Sequence, residues 1–322
     1  MASDRRSASK KNGVPTPALG FDARPAVVGR VGTFAADDGV QFAGQSVLNV
    51  VCHLHAMGFK PLLITRVGRD AEGRRIMRQI EDIGIDTEGV QFDDSLPTSG
   101  RTAHRAPGNP RCAWEALDAK SVVGILRKTE AQLLFHGVAS MRSESIQQAL
   151  NTLTSRTAVP HFVDIDLNRS TSLEKAVRRT LLGVKWIRVD AVHLRELIED
   201  FEVTTSRSPL NQALAVQARF ALEGIVVEHC GLPILGIWPD RVTRGTVSPP
   251  AEPTFLPGGR DAATAALIVG LLYRWREDIM IERAAQFAFL AGTKAISRQV
   301  DPLVYSSVLK HWGTAESNAV GS

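Results

Sequence analysis

Cysteine is scarce: 322 residues hold three, Cys52, Cys112 and Cys230. Their number is odd, their spacing wide, and no Cys-x-x-Cys pair occurs. That excludes a disulfide scaffold and a zinc ribbon, and it fits a reducing compartment. Long apolar runs are missing as well. None reaches the ~18 residues that read as a membrane span. No apolar stretch follows the basic N-terminal residues, so no secretory signal is expected. Internal repeats and heptads are absent. A genuine charge surplus is also lacking. The net charge is +4, but Arg5, Arg6, Lys10 and Lys11 against Asp4 put +3 of it in the first twelve residues. The pI near 9.1 therefore reflects a basic tail and not a nucleic-acid groove. The expectation is a cytoplasmic protein with no membrane and no nucleic-acid partner.

What is present is ordinary for a soluble protein with a sizeable core: 44% hydrophobic and 22% charged residues. The length allows one large α/β domain or two smaller ones. Residues 1–24, rich in Ser, Lys, Arg, Pro and Gly, read as a disordered leader, 25–315 as one domain, and 316–322 as a flexible tail. Ala26-Val27-Val28-Gly29 reads as a first buried strand, and 30–45 as irregular. From Ser46 a helix is clear: Val47, Val50, Val51, Leu54 and Met57 recur at helical spacing and Gly58 stops it. Leu62-Leu63-Ile64 is a short strand, and Arg66 to Asp70 a loop. Asp70 caps a second helix carrying Ile76, Met77, Ile80 and Ile83, closed by Gly84. Residues 91–116 are polar, with a hairpin or flap expected.

Beyond them strands and helices alternate. Strands are expected at 133–137, 161–166, 186–189 and 224–227. Helices are expected at 145–153, 173–182, 191–201, 213–222 and 281–291. An antiparallel pair is expected over 232–237 and 241–247. Such alternation predicts a doubly wound, mostly parallel sheet covered on both faces. Ligands in such sheets bind at the C-terminal strand ends.

The chain's organising stretch is Pro257 to Leu272, PGGRDAATAALIVGLL. Gly258 and Gly259 form a tight turn. From Ala262 to Leu272 every face is apolar, which predicts a buried helix. The N–H groups and positive dipole end of such a helix favour an anion, and glycine lets a phosphate come close. Asp261 is placed to take a proton from a hydroxyl attacking that phosphate. Asp and Gly are also favoured in plain caps and turns, so a capping role stays open.

Two blocks resemble the PfkB (ribokinase-like) carbohydrate kinase family. The first runs from Ala43 to Val90 and keeps Gly44, Asn49, Gly58, Gly68, Asp70 and Gly73 at the family's spacing, with its Gly-Ile-Asp-Thr ending at Gly84 to Thr87. In the second, the family's Asp-Thr-x-Gly-Ala-Gly-Asp becomes Phe255-Leu256-Pro257-Gly258-Gly259-Arg260-Asp261. The resemblance implies a ribokinase-like fold with a reduced β lid, formed by short segments near 32–45 and 91–116. It implies an ATP-dependent phosphotransferase acting on a sugar or related small molecule, with ATP and Mg²⁺ as cofactors. Asp261 would be the base, and Gly258 and Gly259 part of the anion hole. Gly44 and Asn49 would hold substrate hydroxyls. Asp166 and Asn168 match an Asp-x-Asn segment near sugar and phosphates, although a strand-end Asx turn explains them equally well. A homodimer through lid strands is a family habit that a short lid weakens.

Four departures bear on activity. Arg260 replaces the last glycine of the phosphate turn, where it either clamps phosphate or plugs the hole by pairing with Asp261 or Glu228. Asp190-Ala191-Val192-His193 replaces Asn-x-x-Glu, whose acid helps hold magnesium. His193 is a poor substitute for an oxygen ligand, which Asp190 could partly replace. Glu228 lies where a threonine turn touches nucleotide phosphates, and an acid there repels them. Only fourteen residues separate Gly29 from Gly44, so the sugar side is short. Asp261, Asn49 and the glycine pair favour an active kinase. Arg260, His193, Glu228 and the short lid favour a degenerate ligand-binding or regulatory protein. A Rossmann dehydrogenase is disfavoured, because Gly29-Arg30-Val31-Gly32 lacks the full glycine fingerprint.

Overall fold

The structure, a computed structural model, describes residues 23–35, 41–43, 46–99, 112–137, 144–165, 174–201, 208–229, 232–245, 258–293, 305–310 and 312. The chain runs β1 (Pro25–Val28), β2 (Thr33–Ala35), β3 (Gln41–Ala43), α1 (Ser46–Ala56), β4 (Leu62–Gly68), α2 (Ala71–Ile83) and β5 (Val90–Asp93). It continues through α3 (Ala119–Lys128), β6 (Leu133–Gly137), α4 (Glu144–Arg156), β7 (His161–Ile165), α5 (Glu174–Leu181), β8 (Trp186–Asp190) and α6 (Ala191–Asp200). Then come α7 (Pro209–Phe220), β9 (Gly224–His229), β10 (Leu232–Ile237), β11 (Val242–Arg244), α8 (Gly259–Tyr273) and α9 (Glu277–Thr293).

Nine strands form one sheet in the order β11-β10-β9-β8-β7-β6-β1-β4-β5. The seven from β9 to β5 are parallel, while β10 and β11 are antiparallel additions at one edge. The chain starts at β1, winds outward through β4 and β5, then returns to β6 and winds the other way. The reversal between β1 and β6 is the point where such sheets place a ligand crevice. Two apolar layers result. One face packs against α3, α4, α5, α6 and α7. The other packs against α1, α2, α8 and α9, with Tyr305 and Trp312 joining from the C-terminal segment. The α/β expectation is met, and a doubly wound sheet is what buried strands such as β1, with all four residues buried, require.

Three local expectations are corrected. Residues 30–45 are not wholly irregular: β2 and β3 pair antiparallel, with Phe34 opposite Phe42. The segment from 91 does not open as a hairpin, because Val90–Asp93 pairs in parallel with β4 as the outermost strand. Asp93 ends that strand and folds the chain back, accepting from the backbone N–H of Ser95 and Leu96 and bonding Arg66. The loop expected from Arg66 is largely strand, since β4 runs to Gly68. Asp70 does cap α2, accepting from the Gly73 N–H, and it also holds Thr98. Helix α3, with buried Val122, Val123 and Leu126, is absent from the sequence reading, where Gly124 breaks its pattern. Among the described residues no helix is long and apolar enough to cross a membrane.

Candidate active site

Helix α8 is buried along nearly its whole length, as its all-round apolar sequence requires. Its N-cap is Gly258, with φ of 79°, a left-handed conformation that glycine adopts without steric cost. No side chain caps the helix. A Cβ built on Gly258 would meet nothing within 4 Å, so the turn borders open space. A helix N-terminus without a side-chain cap is an arrangement that can receive an anion.

Asp261 is the third residue of this helix, and it does not serve as a cap. Helix α1 packs against α8 and presents Ser46 and Asn49 one turn apart. The Ser46 hydroxyl donates to Asp261 Oδ1, and Asn49 Nδ2 donates to Oδ2 at 2.7 Å. These contacts join positions 215 and 212 residues apart. Burial pushes the Asp261 carboxyl above the ordinary value, while the Ser46 and Asn49 bonds and the Arg188 charge pull the other way. The result is a sheltered, more basic carboxylate, the condition a general base needs.

Beside it lies an ionic quartet that sequence reasoning only partly found. Asp164, Arg188 and Glu228 come from β7, β8 and β9 on the α8 side of the sheet. Asp164 is in register with Arg188, and Glu228 with Asp190. The fully buried Arg188 lies with Nε 2.8 Å from Glu228 and 3.8 Å from Asp164. Its Nη1 donates to the Arg260 carbonyl at 2.9 Å and to the Thr264 hydroxyl. Arg260 reaches the same two acids from α8, with Nη2 2.8 Å from Asp164 and Nε 3.0 Å from Glu228. Burial raises the carboxyl of Asp164, but the Arg188 and Arg260 guanidiniums bring it below its ordinary value. Burial pushes Glu228 up against the pull of the same two cations. Among the described residues two acids and two guanidiniums meet here, the opposite charges that a dry site demands.

Of the expected site residues, Asn49, Arg260, Asp261, Gly258, Gly259 and Glu228 converge at this end of the sheet. Arg260 pairs with Glu228, one of the two partners the plugging alternative named, and also with Asp164. Asn49 spends an amide N–H on Asp261. Asp190 caps α6 by accepting from the Val192 N–H. His193 lies close enough for its charge to lower Asp164. Gly44, Asp166 and Asn168 lie outside the described residues. Ser46, Asp164 and Arg188 were missed. The available signal was a charged residue inside each of two otherwise apolar strands, at positions facing α8.

Mg²⁺ takes a shell of oxygen ligands. Among the described residues no group of three or more His, Cys, Asp or Glu could hold a metal ion. The carboxylates nearest the turn are engaged by guanidiniums, and Asp190 caps a helix, so these residues do not fit a protein-held magnesium. A concavity of about 340 Å³, lined in part by Trp186, Trp238 and Trp275, is elsewhere, at the N-terminal strand ends.

No protein-family model and no curated sequence matches the chain. Solved structures do. A putative ribokinase II from E. coli superposes with a TM-score of 0.69 at 13% identity, over 90% of this chain and 99% of that one. A fructokinase with bound ATP from Xylella fastidiosa gives 0.66 at 14% identity, over 90% and 99%. A nucleoside kinase from Burkholderia thailandensis, in complex with inosine, gives 0.64 at 12% identity, over 91% and 93%. The chain shares the ribokinase-like fold of these PfkB-type sugar and nucleoside kinases.

Proposed function

We propose that the protein is an ATP-dependent phosphotransferase acting on a hydroxyl of a sugar or related small molecule. The carrying observation is Asp261, a buried carboxylate with a raised pKa beside an uncapped helix N-terminus that borders open space. Asp261 takes the proton of the acceptor hydroxyl. Ser46 and Asn49 fix the carboxylate's direction. The first-turn N–H groups of α8 and the Gly258 turn receive the phosphoryl oxygens as charge builds on them. Bound ATP supplies the phosphoryl group. The structural neighbours act on or bind a fructose-type sugar, ATP or a nucleoside, which supports an acceptor of that size.

The test is acceptor-dependent release of ADP from ATP over a panel of hexoses, pentoses and nucleosides. Asp261→Asn is expected to lower turnover by about 10²–10⁴-fold while leaving nucleotide affinity nearly unchanged. Full activity in that variant removes Asp261 from the chemistry. Failure to bind ATP or ADP under any condition overturns the kinase reading.

A further inference from the structure

We propose that the Arg260 guanidinium is the built-in cation of this site. It is held between the Asp164 and Glu228 carboxylates as a divalent ion would be, so that phosphate is bound here without a protein-held metal. The part concerning nucleotide rests on the kinase reading; the part concerning the carboxylates does not.

Three observations converge. Asp164 and Glu228 come from strands on either side of β8, yet both close on one guanidinium, at 2.8 and 3.0 Å. A guanidinium is planar, permanently charged and rich in donors, so it can bridge two carboxylates where a lysine ammonium would act as a point charge. The second cation cannot take this role. The Arg188 side chain is 0% accessible and is paired with Glu228 and bonded to the Arg260 carbonyl and Thr264, whereas that of Arg260 is 19% accessible. Of the two, only Arg260 can be reached by a ligand at the mouth of α8.

Charge supplies the third observation. Among the described residues, removing Arg260 leaves the buried acids Asp164 and Glu228, with Asp261 beside them, facing one buried guanidinium, an excess of negative charge. A buried carboxylate pair in that state either binds a cation or takes up a proton. The residue that departs from the glycine pattern is thus matched by acids placed to receive it. Removing Arg260 should convert the position into a divalent-cation site made by Asp164 and Glu228.

The cation is tested first with Mn²⁺ alone, without nucleotide, by following free Mn²⁺ in its electron paramagnetic resonance spectrum. Arg260→Ala is expected to bind one Mn²⁺ at least about ten-fold more tightly than the wild type, and Arg260→Ala with Glu228→Gln to lose that gain. A wild type that binds Mn²⁺ as well as Arg260→Ala overturns the proposal, as does a gain that survives Glu228→Gln. Should Arg260→Ala not fold, Arg260→Gln carries the same test with a side chain closer in length. In the second arm, calorimetry on the wild-type chain compares ADP binding in EDTA and in Mg²⁺. Affinities within about three-fold are expected, and a loss of ten-fold or more in EDTA overturns the proposal. Absence of ADP binding in both conditions overturns the kinase reading instead, and the Mn²⁺ titration then decides the identity of the cation alone.

Discussion

Asp261 shows how a residue's neighbours set its chemistry. Burial raises its pKa, and the bonds from Ser46 and Asn49 restrain that rise. A general base works only when deprotonated, so on the proposed role of Asp261 activity is expected to fall as pH drops through this raised value. Ser46→Ala removes one restraint. The acid limb of the kcat/KM profile is therefore expected to move to higher pH than in the wild type, measured as acceptor-dependent ADP release across the acidic range. An unmoved limb would mean that the Ser46 hydroxyl leaves the proton affinity of Asp261 untouched. For stability the sign is the reverse of a salt-bridged acid's. A folded carboxyl with a raised pKa contributes more as pH falls through that value and less above it.

At the scale of elements, Arg188 joins the sheet to helix α8, which holds the proposed base. It spans from β8 to the first turn of α8, where it binds the Arg260 carbonyl. A strand of the pattern Trp-Ile-Arg-Val-Asp would normally bury an apolar residue at that position, so the charge is a local cost that its partners offset. Arg188→Met leaves two buried acids with one cation, and it is expected to destabilise the fold by about 3–5 kcal/mol. Adding Glu228→Gln restores charge balance and should recover part of the loss. Urea unfolding of the wild type, Arg188→Met and the double variant measures both effects. Equal stability of the single and double variants would show that Arg188 and Glu228 do not depend on each other.

The whole molecule carries a further charge ledger in its imidazoles. His53 is buried against Tyr305 and Phe287, with its Nδ1 2.6 Å from the Tyr305 hydroxyl. His136 and His161 meet edge to face between β6 and β7. Burial lowers their pKa values from 6.5 to about 4, 3 and 4 respectively, with the charge of His161 adding to the effect at His136. On unfolding each returns towards its ordinary value and takes up a proton below it. Stability is therefore expected to fall as pH drops below 6.5, by up to about 2 kcal/mol per imidazole at pH 5. Chemical denaturation at pH 7.5 and 5.0 checks this. A stability that is flat over that interval would mean the three rings are protonated in the folded chain.

Local pattern determined a good part of this protein. The 3.6-residue spacing of α1, the all-round apolarity of α8, the Gly258 turn and the Asp70 cap each follow from a few consecutive residues, and the strand–helix alternation predicts the sheet type. The same local view misjudged 30–45 and 91–93. Whether short, partly polar runs become β2, β3 or an edge strand depends on which partner strand lies alongside. It passed over Ser46 as the start of a helix and Arg188 as part of a strand, because neither is unusual in its own neighbourhood. It left Arg260 between two roles: Glu228 was among the partners it named, but Asp164, 96 positions away, was not. Tertiary structure decided those pairings. A buried charge is tolerated only where the fold delivers opposite charges to it, and that delivery is set by strand register and helix packing across the whole sheet.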